Sequence, residues 1–449
     1  MSQTLLEALQ EVSGVPGLSA AVWQDGAVVW TGAAGRQDVE GGVPVTRDTR
    51  FRLASVSKLL TVTAVARLAE EGRIDLDAPI ASILPWLDND WPPISARQLA
   101  AHTSGLPHYQ EIDADRGKVH YPDGKTAVEV FAGRPLLSAP GDRYSYSAWG
   151  YTLLGAMVEE VTGEPFTAYL AREIAPGLDL GPDATDSGDP HVSIAYEFLE
   201  GSARRAAPHD YSYTWGGGGM MGTAESLVRF GGAMMDHRVV TKATFDDMLR
   251  PAFLSSGEVA GEDGYSVGFG WRSAKGGDGS PIVFHNGVTI GARSSLVLWH
   301  EEKTAAAILS NASWTSSIDA TSQMLAAPFR SEPEGLVAAA CPIGAASFEG
   351  TLAGEQVSGW ARFRVMDGLC QGEIELAGSL HAYFDRGPQP TAPTIRVVGL
   401  DPAGGLSRAG MVTPFGLYEL RASEDGTYTS RWSVQRVLEL RFIDGGDRE

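Results

Sequence analysis

The chain has 449 residues, 43% of them hydrophobic, with 35 basic and 56 acidic side chains and a formal charge of −21. This length and apolar content allow two or three packed cores and exclude a disordered or fibrous chain; the acidic balance repels nucleic-acid phosphates and anionic lipid headgroups, so neither is an expected partner. No stretch reaches the ~20 apolar residues that span a bilayer, and the opening MSQTLLEALQEVSGVPGL lacks a basic start and a long apolar run, which makes the cytoplasm the expected location.

In that opening segment Glu7 and Glu11 fall at helical spacing, predicting a short amphipathic helix. LSAAVWQDGAVVWTG then reads as two strands joined by a hairpin turn at Gln24-Asp25-Gly26. From Val56 to Glu71 the apolar Leu59, Val62, Val65, Ala66 and Ala69 recur at helical intervals, and Gly72 supplies a stop. This helix is apolar on more than one side and is expected at the centre of the fold. From about residue 78 to 280, short helical stretches alternate with Pro- and Gly-rich loops, including AAHTSGLPHY and TWGGGGMMGTAESLVRFG, where substrate contacts are expected.

Residues 281–311 return to strand character as three runs of a meander. Strands at both ends with helices between them predict an α/β sandwich, an antiparallel sheet flanked by helices, over residues 1–331. From 335 to 449, segments such as ARFRVMDG, QGEIELAG, SLHAYFDRG, PTIRVVGL and VLELRFIDG alternate and are broken by turn residues, predicting a small all-β barrel of about eight strands. Cys341 and Cys370 are too few for a disulfide framework and lack zinc-ligand spacing, so both read as core thiols. The run Gly216 to Gly219 has neither the lysine nor the strand-to-helix context of a phosphate loop. No metal and no cofactor is expected.

Chemistry enters with FRLASVSK, where Ser55 and Lys58 stand three residues apart at a helix start. That spacing puts an ammonium beside a hydroxyl on one helical face, with the free N–H groups of the first turn aimed at developing negative charge. Alone, the pair is weak evidence and reads first as a capping serine with a solvated lysine. Three further pieces are each ordinary in isolation: Tyr146 at a turn before an apolar helix, His285-Asn286-Gly287 on a strand, and His102-Thr103 in a loop, where a capping or loop-stabilising role fits.

Taken in order, Ser55-x-x-Lys58, Tyr146-Ser147-Ala148 and His285-x-Gly287, with HTSGL and YTLLG around them, resemble the serine β-lactamase and penicillin-binding protein superfamily over about residues 8–325. The resemblance is closest to the branch of class C β-lactamases, DD-carboxypeptidases, D-aminopeptidases, D-amino-acid amidases and family-VIII-type esterases. It implies the β-lactamase/DD-peptidase sandwich, Ser55 as nucleophile, Lys58 and Tyr146 as the proton-transfer pair, and an oxyanion hole from the N–H groups of Ser55 and Val288. Gly287 would let the substrate backbone approach the strand.

Two departures matter. Ala148 stands where an asparagine amide is usual, which disfavours lactamase activity. His285 stands where a lysine is usual, which removes a fixed cation and resembles D-aminopeptidases that bind a free amino group. The expected activity is therefore metal-independent hydrolysis of a small amide or short peptide, D-aminopeptidase-like or D-amidase-like, with a carboxylesterase or acyltransferase as the alternative and a non-catalytic penicillin-recognising protein behind both. The substrate would be the only partner apart from a homo-oligomeric copy. FDRGPQPTAP, from Phe384 to Pro393, is either a loop reaching the active-site mouth or an exposed turn.

Overall fold

The computed structural model describes the chain except residues 88–89, 186, 386–393, 434–435 and 445–449. Most of the loop expected at the active-site mouth, residues 386–393, therefore lies outside the described residues.

Among the described residues, the first domain is built on a nine-stranded sheet with all neighbours antiparallel. The hairpin Gly17–Gln24 and Ala27–Asp38 turns on Asp25 (φ 46°) and Gly26 (φ 93°), both positive as a two-residue primed turn requires. Strand Gly17–Gln24 pairs with Thr304–Ser310, from Leu18↔Ser310 to Gln24↔Thr304, so the two ends of this domain meet at the centre of its sheet. Ala292–Trp299 and Pro281–Thr289 follow outward, completing the predicted meander. The shorter Arg272–Lys275 pairs with the last of these only as far as Arg272↔Phe284, leaving the edge of 285–289 uncovered by that neighbour.

Helix Ser57–Glu70 runs through the main core with Leu59, Leu60, Val62, Val65 and Leu68 all at 1% exposure or less, which is why its apolar residues are not confined to one stripe. It packs against helix Trp149–Thr162 and ends at Glu71, with Gly72 in the left-handed region (φ 68°).

The C-terminal part is a closed eight-stranded barrel, sealed where Gly344–Leu352 pairs with Arg436–Asp444. Two expectations are corrected here. The described part of SLHAYFDRG is no strand: Gly378–Phe384 is a helix, and Leu380 and Phe384, four residues apart on one face, are both buried in the barrel core. A segment this short carries too few residues to separate a period of 2 from 3.6. Cys341 and Cys370 are not free thiols but a disulfide, joining the segment before the barrel to strand Leu369–Glu375.

Helix Ser2–Ser13 lies at the junction of the two domains. Its Leu5, Leu6 and Leu9 are fully buried in one cluster with Ile308 of the sheet, Ile318 and Met324 of helix Ile318–Ala326, and Val412 and Leu417 of the barrel. Backbone contacts seal the same seam: Ser317 N–H donates to the Phe415 carbonyl at 2.9 Å, and Leu417 N–H to Thr321 Oγ1 at 3.0 Å.

Candidate active site

A single 3-10 turn, Ala54–Val56, precedes the long helix and holds Ser55 at the floor of a cleft. Ala54 has φ 45°, a left-handed conformation that a side chain disfavours and that surrounding contacts must hold. Those contacts are visible: Leu53 N–H donates to the Met220 carbonyl at 2.8 Å, and Ser294 Oγ donates to the Leu53 carbonyl at 2.5 Å.

Lys58 and Tyr146 converge on Ser55. The Tyr146 hydroxyl donates to Ser55 Oγ at 2.8 Å and Lys58 Nζ donates to the same oxygen at 3.1 Å. Lys58 is fully buried and also donates to the Gly217 carbonyl, which the glycine run brings under it. That run is glycine for packing reasons, since a Cβ at 216 would sit 2.5 Å from the Tyr151 carbonyl and one at 217 would sit 2.4 Å from Thr214 Oγ1. Burial pushes the Lys58 ammonium below its ordinary range, the nearby Tyr146 pulls it back up, and Arg272 adds to the lowering. For Tyr146, burial alone would raise the phenol, but the charge and hydrogen bond of Lys58, the bond to Ser55 and the charge of Arg272 bring it below its ordinary value.

His102 backs this pair. Its ring packs 4.4 Å from that of Tyr146, its Nδ1 accepts from Ser147 N–H at 3.2 Å, and its carbonyl accepts from Ser145 N–H at 2.8 Å, fixing the turn that carries the phenol. Burial drives the imidazole far below its usual pKa, so it is neutral.

His285 is 1% exposed, with Nδ1 donating to the Asn286 carbonyl at 2.8 Å, and burial holds it neutral as well. The imidazole expected to bind a substrate amino group is thus a packed, uncharged side chain behind the site. Gly287 packs against the turn of the nucleophile: a Cβ there would lie 2.2 Å from Ser294 Oγ and 2.3 Å from the Leu53 carbonyl, so its missing side chain makes room for that turn. Val288 is half exposed and lines the same cleft as Ser55, on the strand edge left uncovered beyond Phe284.

The cleft is a cavity of about 200 Å³ whose walls include Ala148, His108, Tyr109, Arg116, His209, Tyr211 and Tyr213, with no acidic side chain among the described lining residues. Burial pushes His108 and His209 down to about 4. Arg116, Arg272 and the tyrosines escaped the sequence reading because they come from several segments, Tyr211 and Tyr213 sharing one, and have no spacing relation to Ser55; only the Pro- and Gly-rich character of 78–280 pointed to that region. Among the described residues no cluster of His, Cys, Asp and Glu could hold a metal ion, and no helix is long and apolar enough to cross a membrane.

Comparison with known proteins agrees with this geometry. The family model described as Beta-lactamase matches residues 3–326. The chain is 25% identical over 405 residues to the mitochondrial serine beta-lactamase-like protein LACTB of Mus musculus, covering 68% of this chain and 73% of that one. It is 29% identical over 296 residues to esterase EstB of Burkholderia gladioli, covering 58% and 75%. A D-stereospecific amidohydrolase from Streptomyces sp. superposes with a TM-score of 0.56 at 26% identity, covering 70% of this chain and 94% of that structure. With the family model spanning well over half of its length, the chain belongs to the Beta-lactamase family of serine hydrolases.

Proposed function

We propose that this chain hydrolyses small esters and amides through an acyl-enzyme formed on Ser55, and that its acyl-side cleft accepts short acyl groups. The observation that carries the reading is the convergence of Tyr146 at 2.8 Å and Lys58 at 3.1 Å on Ser55 Oγ. Tyr146, its pKa lowered beside Lys58, takes the Ser55 proton as Oγ attacks the carbonyl. The N–H groups of Ser55 and Val288 hold the oxyanion, a contribution typically worth about 10² to 10³ in rate per donor. Tyr146 then returns the proton to the leaving group, and in the second half-reaction it deprotonates water that attacks the acyl carbon. Lys58 keeps the phenolate in place and stabilises its charge.

The small cavity argues for short acyl groups, since drug-sized ligands need about 300 Å³ or more. Ala148 offers no amide to an acylamino chain, which favours simple acyl groups over β-lactams; the likeness to esterase EstB supports ester cleavage. The likeness to a D-stereospecific amidohydrolase supports a second reading, cleavage of D-configured amides. Recognition of a free amino group has no support from the cleft, whose described walls carry no carboxylate and whose His285 is buried.

Steady-state hydrolysis of p-nitrophenyl acetate, of D- and L-alanine p-nitroanilides and of nitrocefin, by wild type and Ser55→Ala, tests this. Ser55-dependent turnover of the acetate with nitrocefin inert is the expected result. Turnover of the D-anilide alone would move the assignment to the amidase, and activity surviving in Ser55→Ala would end it.

A further inference from the structure

Arg116 is a cation in the wall of the cleft whose charge is felt by the Asp113 carboxylate but which makes no direct pair with it. It lines the same cavity as Ser55 and packs near two aromatic rings, its guanidinium carbon 4.3 Å from the ring centre of Tyr109 and 5.2 Å from that of Tyr213. One end is anchored, Nη1 donating to the Asp113 carbonyl at 2.7 Å, and Nε is buried without a hydrogen-bond partner. Among the described residues it forms no ion pair. The carboxylates near it are engaged elsewhere: the adjacent Asp115 pairs with Lys118 at 2.5 Å, Asp113 takes two hydrogen bonds from Arg134, and Asp210 accepts from Ser212 N–H at 2.7 Å and meets His120 Nδ1 at 2.9 Å. His108 and His209, which share the cavity wall, sit at about 4 and are neutral, so Arg116 is the fixed charge that a bound group would meet there.

The position within the cleft says which half of a substrate it meets. On the reading above Tyr146 returns the proton to the leaving group, so the leaving group departs on its side. Neither Tyr146 nor Lys58 is among the described residues that line this cavity, whose walls run from Ser55 and Val288 past Ala148 and Gly217. It therefore receives the acyl half. A planar guanidinium beside aromatic rings is suited to a carboxylate, with which it can form paired hydrogen bonds.

We infer that Arg116 binds a carboxylate at the far end of the acyl chain, making short dicarboxylic half-esters and half-amides, of the glutaryl or succinyl type, the preferred substrates. This rests on the acyl-enzyme reading above and narrows it. The ester bond is cleaved as proposed there, the dicarboxylic acid is released after water attacks the acyl-enzyme, and the distal carboxylate takes no part in bond making.

The test compares monoethyl glutarate with ethyl valerate, equal in acyl chain length and differing in the distal charge, followed by pH-stat at low ionic strength. Wild type is expected to favour the glutarate at least tenfold in kcat/KM. In Arg116→Gln the ratio of the two should collapse at least tenfold, with the loss mainly in KM, and Arg116→Lys should restore part of it. Glutarate should also inhibit wild type competitively at a concentration at least tenfold lower than valerate, a measurement that needs no variant. A wild type that prefers the valerate, or a glutarate preference that survives in Arg116→Gln, overturns the assignment of Arg116 while leaving Ser55 chemistry standing. Absence of Ser55-dependent turnover of both esters, together with no labelling of Ser55 by a fluorophosphonate, overturns the hydrolase reading and this inference with it.

Discussion

The Tyr146 hydroxyl donates to Ser55 Oγ at 2.8 Å across ninety residues of chain, and it does so from a turn clamped by the neutral, buried ring of His102. Removing that hydroxyl removes the group proposed to move the proton. Tyr146→Phe should lower kcat for p-nitrophenyl acetate by about 10² to 10⁴, the usual range for a positioned acid-base group. A Phe variant within threefold of wild type would assign the proton transfer to Lys58 alone.

The pH profile follows from two lowered pKa values. The base must be deprotonated to accept the Ser55 proton, so kcat/KM rises with pH through the pKa of the Tyr146 and Lys58 pair and levels off above it. Arg272 lowers both groups through its charge, lying 5.6 Å from the Tyr146 ring. Without that cation, the phenolate loses an attractive charge and the ammonium loses a repulsive one, and both pKa values rise. Arg272→Gln should therefore shift the ascending limb to higher pH, and a limb that stays put or moves down would remove Arg272 from the electrostatics of the site.

Gly287→Ala should injure the nucleophile without touching it. The added methyl meets the Leu53 carbonyl at 2.3 Å and Ser294 Oγ at 2.2 Å, and the first of these is backbone leading directly into Ser55. Overpacking of this kind costs about 1–3 kcal/mol, and displacing Ser55 from the oxyanion donors should lower kcat by about 10². Urea unfolding and steady-state kinetics on the same variant separate the two effects.

The disulfide between Cys341 and Cys370 closes a loop with a sequence separation of 29. Its loss through Cys370→Ser should cost about 2–4 kcal/mol in the barrel. Chemical unfolding with and without dithiothreitol, followed by Trp432 and its neighbouring barrel aromatics, reads this out; identical midpoints would mean that packing alone holds the segment.

The parts of this molecule that could be read from the chain are those governed by local periodicity. Ser55 and Lys58 share a face because of i,i+3 geometry, the hairpin at Asp25-Gly26 follows from backbone sterics, and the barrel strands declare themselves by alternation. Helix Gly378–Phe384 was lost because seven residues give too little pattern. The disulfide was lost because two cysteines with no alignment carry no distance information. His285 and Gly287 were located correctly on their strand, but burial and the clash with Leu53 are properties of the packed site, and a sequence motif states neither. Arg116 lies outside every motif, and only tertiary folding brings it to Ser55.

The helix Ser2–Ser13 has a kinetic consequence. Its Leu5 and Leu9 are completed by Ile308 near the end of the first domain and by Val412 and Leu417 of the barrel, so the seam between domains joins segments separated by some four hundred residues. During synthesis this helix is made before the sheet it packs on, and its barrel partners follow some four hundred residues later. Its apolar face can be covered in part by Ile308, Ile318 and Met324 as the first domain assembles, but the half that meets Val412 and Leu417 must wait for the barrel to dock.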